Sequence, residues 1–97
     1  MKVLAIIDVA MGSHLDEIRP KLVDELRGSW ALFSSGVLRE AYATAVPTRV
    51  VFVLEAEDVA RAEVHLHTLP LIATGLLSVQ LVELRPFANW GALFSPT

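Results

Sequence analysis

Three short segments carry apolar side chains on both alternating positions: "VLAII" at 3–7, "VVFVL" at 50–54 and "LLSVQLV" at 76–82. Successive side chains of a strand point to opposite faces. Such segments therefore predict strands that are apolar on both faces and need cover on both sides. They are too short for membrane helices, which need about 18 or more consecutive apolar residues. Asp8, Glu55, Glu57, Asp58 and Glu83 interrupt every run. Asp8 also interrupts the one stretch, "MKVLAIIDVAMG", that a secretory signal could occupy, and its period of two fits a strand instead.

The rest of the chain alternates with these strands. Residues 2–10 are the first strand, broken by "MGSH", and Ser13 with Asp16 and Glu17 opens a helix. That helix is expected over 16–34, with Ile18, Leu22, Leu26, Trp30 and Phe33 as its apolar stripe. Pro20 either takes the first helical position or kinks the first turn. Gly36 is placed as the left-handed cap. Strands are expected over 37–45 and 48–56, joined through Val46 and Pro47, followed by a second helix over 57–68 and a last strand over 76–84. The order β-α-β-β-α-β predicts an α+β, ferredoxin-like domain: a four-stranded antiparallel sheet with two helices on one face. It occupies residues 1–86, and residues 87–97 form an aromatic tail.

Helices on one face leave the second face of a doubly apolar sheet uncovered. A chain of 97 residues has a modest core of its own, yet 54% of its residues are hydrophobic and its mean hydropathy is +0.52. The surplus apolar surface points to a second copy of the chain, with two sheets packed face to face into a dimeric α/β barrel. Phe87, Trp90 and Phe94 crowd the last eleven residues. Aromatic anchors of this kind are enriched at interfaces, so the tail is assigned to contact between subunits. The expected partners are the chain itself, as a homodimer or larger assembly, and a small apolar or aromatic-like metabolite. Nucleic acid and membrane are not expected: net charge is −3 and no basic run exists. The absence of cysteine excludes disulfides and thiolate chemistry. A cytoplasmic location is the expectation, and no cofactor or metal is.

The residues "GVLREAY", "VVFVLEA", the "LPL" at 69–71 and the "RPF" after the last strand resemble the muconolactone isomerase family of the dimeric α/β-barrel superfamily. The likeness covers residues 36–86. It implies binding of a small unsaturated or cyclic acid and a cofactor-independent proton transfer within it. It also implies that Leu69, Leu71, Ile72 and Leu76 line a shared cavity or subunit contact, so that the greasy connector "LPLIATG" is buried by assembly. Where the isomerase strand has an aromatic, a base and a histidine, this chain has Leu38, Arg39, Glu40 and Tyr42.

The candidate chemistry follows from parity and pitch. Glu40 and Tyr42 share a strand face about 7 Å apart. Glu40 is either a base with a pKa raised by burial, with Tyr42 as donor, or a solvated edge residue. Arg39, on the other face, either clamps a carboxylate or makes an ion pair. His65 and His67 diverge on a helix and do not chelate one metal. By spacing from Ala60 and Val64, His67 is the buried candidate base and His65 the solvated one. Asp8 either faces the interior and needs a partner or opens the turn before Gly12. Catalytic candidates are thus Glu40, Tyr42 and His67, and substrate-binding candidates Arg39, Leu69, Leu71 and Ile72. The second reading is a non-catalytic ligand-binding or assembly protein of the same fold. Convergence of these polar groups on one concavity separates the two.

Overall fold

The computed structural model describes residues 1–95. Its elements run β1 (Lys2–Val9), α1 (Leu15–Ile18), a 3₁₀ turn (Arg19–Lys21), α2 (Leu22–Ser34), β2 (Leu38–Ala43), β3 (Val50–Glu55), α3 (Val59–Leu66), α4 (Pro70–Ala73), β4 (Leu77–Leu84) and a terminal 3₁₀ segment (Ala88–Leu93). The strands form one antiparallel sheet in the order β2-β3-β1-β4. The class is α+β, and the connectivity is consistent with the expected ferredoxin-like plan.

Both central strands are apolar on both faces. Val3, Ala5 and Ile7 of β1 and Phe52 and Leu54 of β3 point toward the helices, where they pack against Leu32, Ala62, Leu66, Leu69 and Ile72. Residues directly opposite each other in an antiparallel pair share a face. The register pairs Leu4 with Val53 and Val82, and Ile6 with Val51 and Gln80, so these side chains form the opposite face. No helix covers it. Asp8 lies on this open face, away from the core, and its carboxylate pairs with Arg49 at 2.9 Å.

One irregularity decides the orientation of β2. Leu38 pairs with Leu54, whereas Glu40 pairs with the next residue back, Val53. Arg39 is the extra residue of a bulge. Leu38 is thereby buried beneath the helices, while Glu40 and Tyr42 turn to the open face opposite Val53 and Val51.

The helices depart from expectation in two ways. The single helix over 16–34 is broken: Pro20 lacks an N–H and cannot continue the i to i−4 ladder, so a 3₁₀ turn separates α1 from α2. The first cap is His14 rather than Ser13, and the His14 N–H donates to the Glu17 carboxylate at 3.2 Å. More consequentially, the expected core stripe is not the buried one. Leu22, Leu26, Trp30 and Phe33 are exposed, Trp30 by 67%, while Ile18, Glu25 and Leu32 are buried. Those three recur every seven residues, close to two helical turns, and so lie on one line. The reason is at Gly28: a Cβ there would lie 2.7 Å from Leu69 Cδ2. The helix approaches the connector along its Gly28 side, and that rotation lifts the Leu22–Phe33 stripe outward.

The connector itself is buried within the single chain. Leu69 and Leu71 are 1% exposed and Ile72 6%, so assembly is not what covers them. They are covered by α2 above and by the sheet below. Gly75, at φ +78°, makes the left-handed turn into β4, and Gly36, at φ +84°, does the same after α2. The terminal 3₁₀ segment stands away from this body. The chain measures 60 × 29 × 21 Å with a radius of gyration of 16.0 Å, against about 13 Å for a compact domain of roughly 100 residues. Phe87, Trp90, Leu93 and Phe94 are all exposed, and the last two residues of the expected tail, Pro96 and Thr97, lie outside the described residues.

Leu54 is fully buried at the centre of the helix-side core. Leu54→Ala is expected to cost about 2–5 kcal/mol through lost burial and the cavity left behind. A urea titration checks this as a lower midpoint at unchanged slope.

Candidate functional site

The site is built where α2, the connector and the sheet meet. The α2 register that brings Gly28 against Leu69 also turns Glu25 inward, to 8% exposure. Leu71 is the second residue of α4, and its N–H has no acceptor within so short a helix. Glu25 Oε1 accepts that N–H at 2.7 Å. The bond crosses 46 residues of chain and ties α2 to the connector. Among the described residues no other donor reaches the Glu25 carboxylate, and its second oxygen is not sealed from solvent.

Glu25 lines a cavity of 390 Å³ whose other walls are almost wholly apolar: Ile7, Ile18, Phe52, Leu69, Leu71 and Leu77 among them. Burial pushes the Glu25 carboxyl above its ordinary value of 4.5, and the Leu71 N–H opposes this only in part. A carboxyl group in an apolar hollow, with an elevated pKa, has the properties of a proton-transfer group.

The expected site residues fall into three places. Glu40, Tyr42 and Arg39 do come together, in a groove of 630 Å³ along the β2 edge. Its apolar wall includes Leu26, Trp30 and Phe33, and the two aromatic rings stack with centroids 5.4 Å apart. The Tyr42 hydroxyl donates to Glu40 Oε1 at 2.7 Å. That bond first, and the negative charge of Glu40 second, raise the Tyr42 pKa above 10.0. The phenol is thus held protonated on an exposed carboxylate, not on a buried base. Leu69 and Leu71 are in the adjoining Glu25 cavity, which shares Leu26, Ser29, Ala41 and Phe52 with the groove. The two hollows therefore adjoin.

His67 lies elsewhere. It sits with Ile72, Glu63 and Leu66 in a separate cleft beside β4, at the opposite edge of the sheet from β2. His67 is exposed and His65 half-buried, the reverse of the expected order. The buried line of α3 is Ala62 and Leu66, continued by Leu69 beyond the helix, so a stripe through Ala60, Val64 and His67 faces outward. The His67 ring Nδ1 rests 2.9 Å from the Glu63 carbonyl oxygen. Within one chain, His67 cannot act on a ligand bound beside Glu40 and Tyr42.

No protein-family model matches this chain, and no curated protein does. Among the described residues there is no group of three or more His, Asp or Glu side chains placed to hold a metal ion, and no helix long and apolar enough to cross a membrane. Glu25 was absent from the candidates drawn from sequence. The signal for it was Gly28, which marks the side of α2 that makes a close approach; Glu25, three residues earlier, shares that side.

The raised pKa of Glu25 has a consequence for stability. The folded chain holds this proton at pH values where the unfolded chain, near 4.5, has released it. Across that window the native state binds more protons, so stability falls as pH rises through the folded pKa and is regained as pH falls toward 4.5. Glu25→Gln keeps a carbonyl acceptor for Leu71 and removes the titration. Its melting temperature is expected to exceed that of the parent by a few degrees at neutral pH, the gap closing in acid, in thermal melts run across pH.

Proposed function

We propose that the chain works as a homo-oligomer in which the open sheet faces of two copies pack together as a dimeric α/β barrel, and that each copy binds a small apolar or aromatic-like metabolite beneath α2. The observation that carries this reading is the uncovered sheet face. Val82 and Leu84 on it are exposed, Leu4, Ile6 and Val51 half-buried, and Val53 is buried by its own neighbours, with Lys2, Asp8, Glu55 and Gln80 around them. Monomers rarely leave an apolar surface of this kind to water. The tail supports the same reading: Phe87, Trp90, Leu93 and Phe94 are all exposed, although the Phe87 and Trp90 rings pack edge to face with centroids 5.0 Å apart.

The two adjoining hollows under α2 support ligand binding, because they combine apolar walls with a few polar groups. The chemistry such a hollow suits is the one the muconolactone isomerase resemblance implies: a proton moved from one carbon to another without a cofactor. A base must take the proton and return it, and a carboxyl group kept from water serves. Arg39, at the groove, would steady negative charge that develops on the ligand.

Light scattering over a dilution series tests the assembly. A dimer or larger species is expected at micromolar concentration. Val82→Asp, which places a charge at an exposed position of the open face, is expected to yield a monomer with unchanged far-ultraviolet circular dichroism. A parent chain that is monomeric throughout would remove the barrel reading.

A further inference from the structure

Resting on the reading of the hollow as a ligand site, we infer that its inner cavity takes an uncharged apolar molecule carrying a single hydrogen-bond donor, such as a phenol or an alcohol, held by Glu25. This narrows the ligand away from the carboxylic acids that the family resemblance implies.

The argument is one of complementarity. Glu25 is more than nine-tenths buried, and one of its oxygens is committed to the Leu71 N–H. No donor among the described residues engages the other, so the carboxyl group has acceptor capacity aimed into a space of 390 Å³. That second oxygen is not sealed from solvent, and a ligand hydroxyl entering the cavity would take the place of water on it. The other walls bear no cation: the cavity is lined by Ile, Leu, Val, Phe and Ala side chains, with Ser29 the one other polar residue. The Ser29 hydroxyl already donates its proton to the Leu26 carbonyl at 2.9 Å and so offers no donor to an anion. A carboxylate ligand would meet the Glu25 carboxyl group with nothing positive beside it and would lose its hydration without return. Arg39 is the nearest candidate for an anion, but it lines the outer groove and not this cavity. The volume suits a molecule of one or two rings.

Three probes of one shape separate the possibilities: p-cresol, toluene and p-toluate, each titrated calorimetrically into the full chain near neutral pH. p-Cresol is expected to bind at least about tenfold more tightly than toluene or p-toluate, a ratio that one charge-assisted hydrogen bond supplies. Glu25→Gln should weaken p-cresol by about fivefold or more and leave toluene unchanged. Ser29→Phe, which fills the cavity and leaves Glu25 in place, should abolish p-cresol binding, so the inference does not depend on one variant folding. p-Toluate binding as tightly as p-cresol would overturn the inference while leaving a small-molecule site intact. So would p-cresol binding that neither substitution alters. No binding by any probe would overturn both this inference and the ligand site on which it rests.

Discussion

A sheet with two apolar faces and helices on only one of them governs everything else in this molecule. Central strands β1 and β3 bury Val3, Ala5, Ile7, Phe52 and Leu54 under the helices. The same strands present Leu4, Ile6, Val51 and Val53 to the other side. Alternation makes the two sets inseparable: no shift of register can hide one without exposing the other. The projecting aromatic tail is a second apolar surface of the same chain, and it emerges beyond β4, at the sheet edge opposite β2. Assembly answers both.

The helix layer is organised by a different interaction, the meeting of α2 with the connector. Gly28 allows contact with Leu69, and Glu25 accepts the Leu71 N–H two residues further along. These contacts bury a connector that would otherwise be the most apolar loop of the surface. They also set the rotation of α2, and that rotation leaves Leu22, Leu26, Trp30 and Phe33 on the outside, two of them edging the Glu25 cavity. A hollow with one carboxyl group at its wall is the by-product of a helix seated on a glycine. Its position between helix layer and sheet would keep it accessible from the α2 side when the opposite sheet face is covered.

Element order was legible in the sequence because the runs "VLAII" and "VVFVL" are short, rich in β-branched residues and bounded by charged ones, which suits buried strands rather than helices. The stop signal Gly36 was legible: it was placed as a left-handed cap, and it has positive φ. The rotation of α2 was not. The line that is buried, through Ile18, Glu25 and Leu32, carries a charge, and spacing alone favours the fully apolar one through Trp30 and Phe33. Only the contact between Gly28 and Leu69, distant in sequence, selects the other. His67 was misplaced for the same reason, since the face of α3 that packs is chosen by Ala62 and Leu66 against the sheet. The bulge at Arg39 also escaped the sequence, because a single extra residue leaves no compositional mark. Glu40 and Tyr42 were rightly paired on one face, yet which face they occupy depends on that bulge.

The central claim is that a second copy covers the open sheet face. Methyl signals of Leu4, Ile6, Val51, Val82 and Leu84, followed by NMR with a soluble paramagnetic agent, test it most directly. Assembly predicts that these methyls are shielded at high protein concentration and attacked on dilution, while Leu26 on α2 is attacked throughout. Methyls of the open face that are attacked equally at every concentration would contradict the account. Shielding that persists in a dilute monomer would contradict it as well, because the cover would then belong to the same chain.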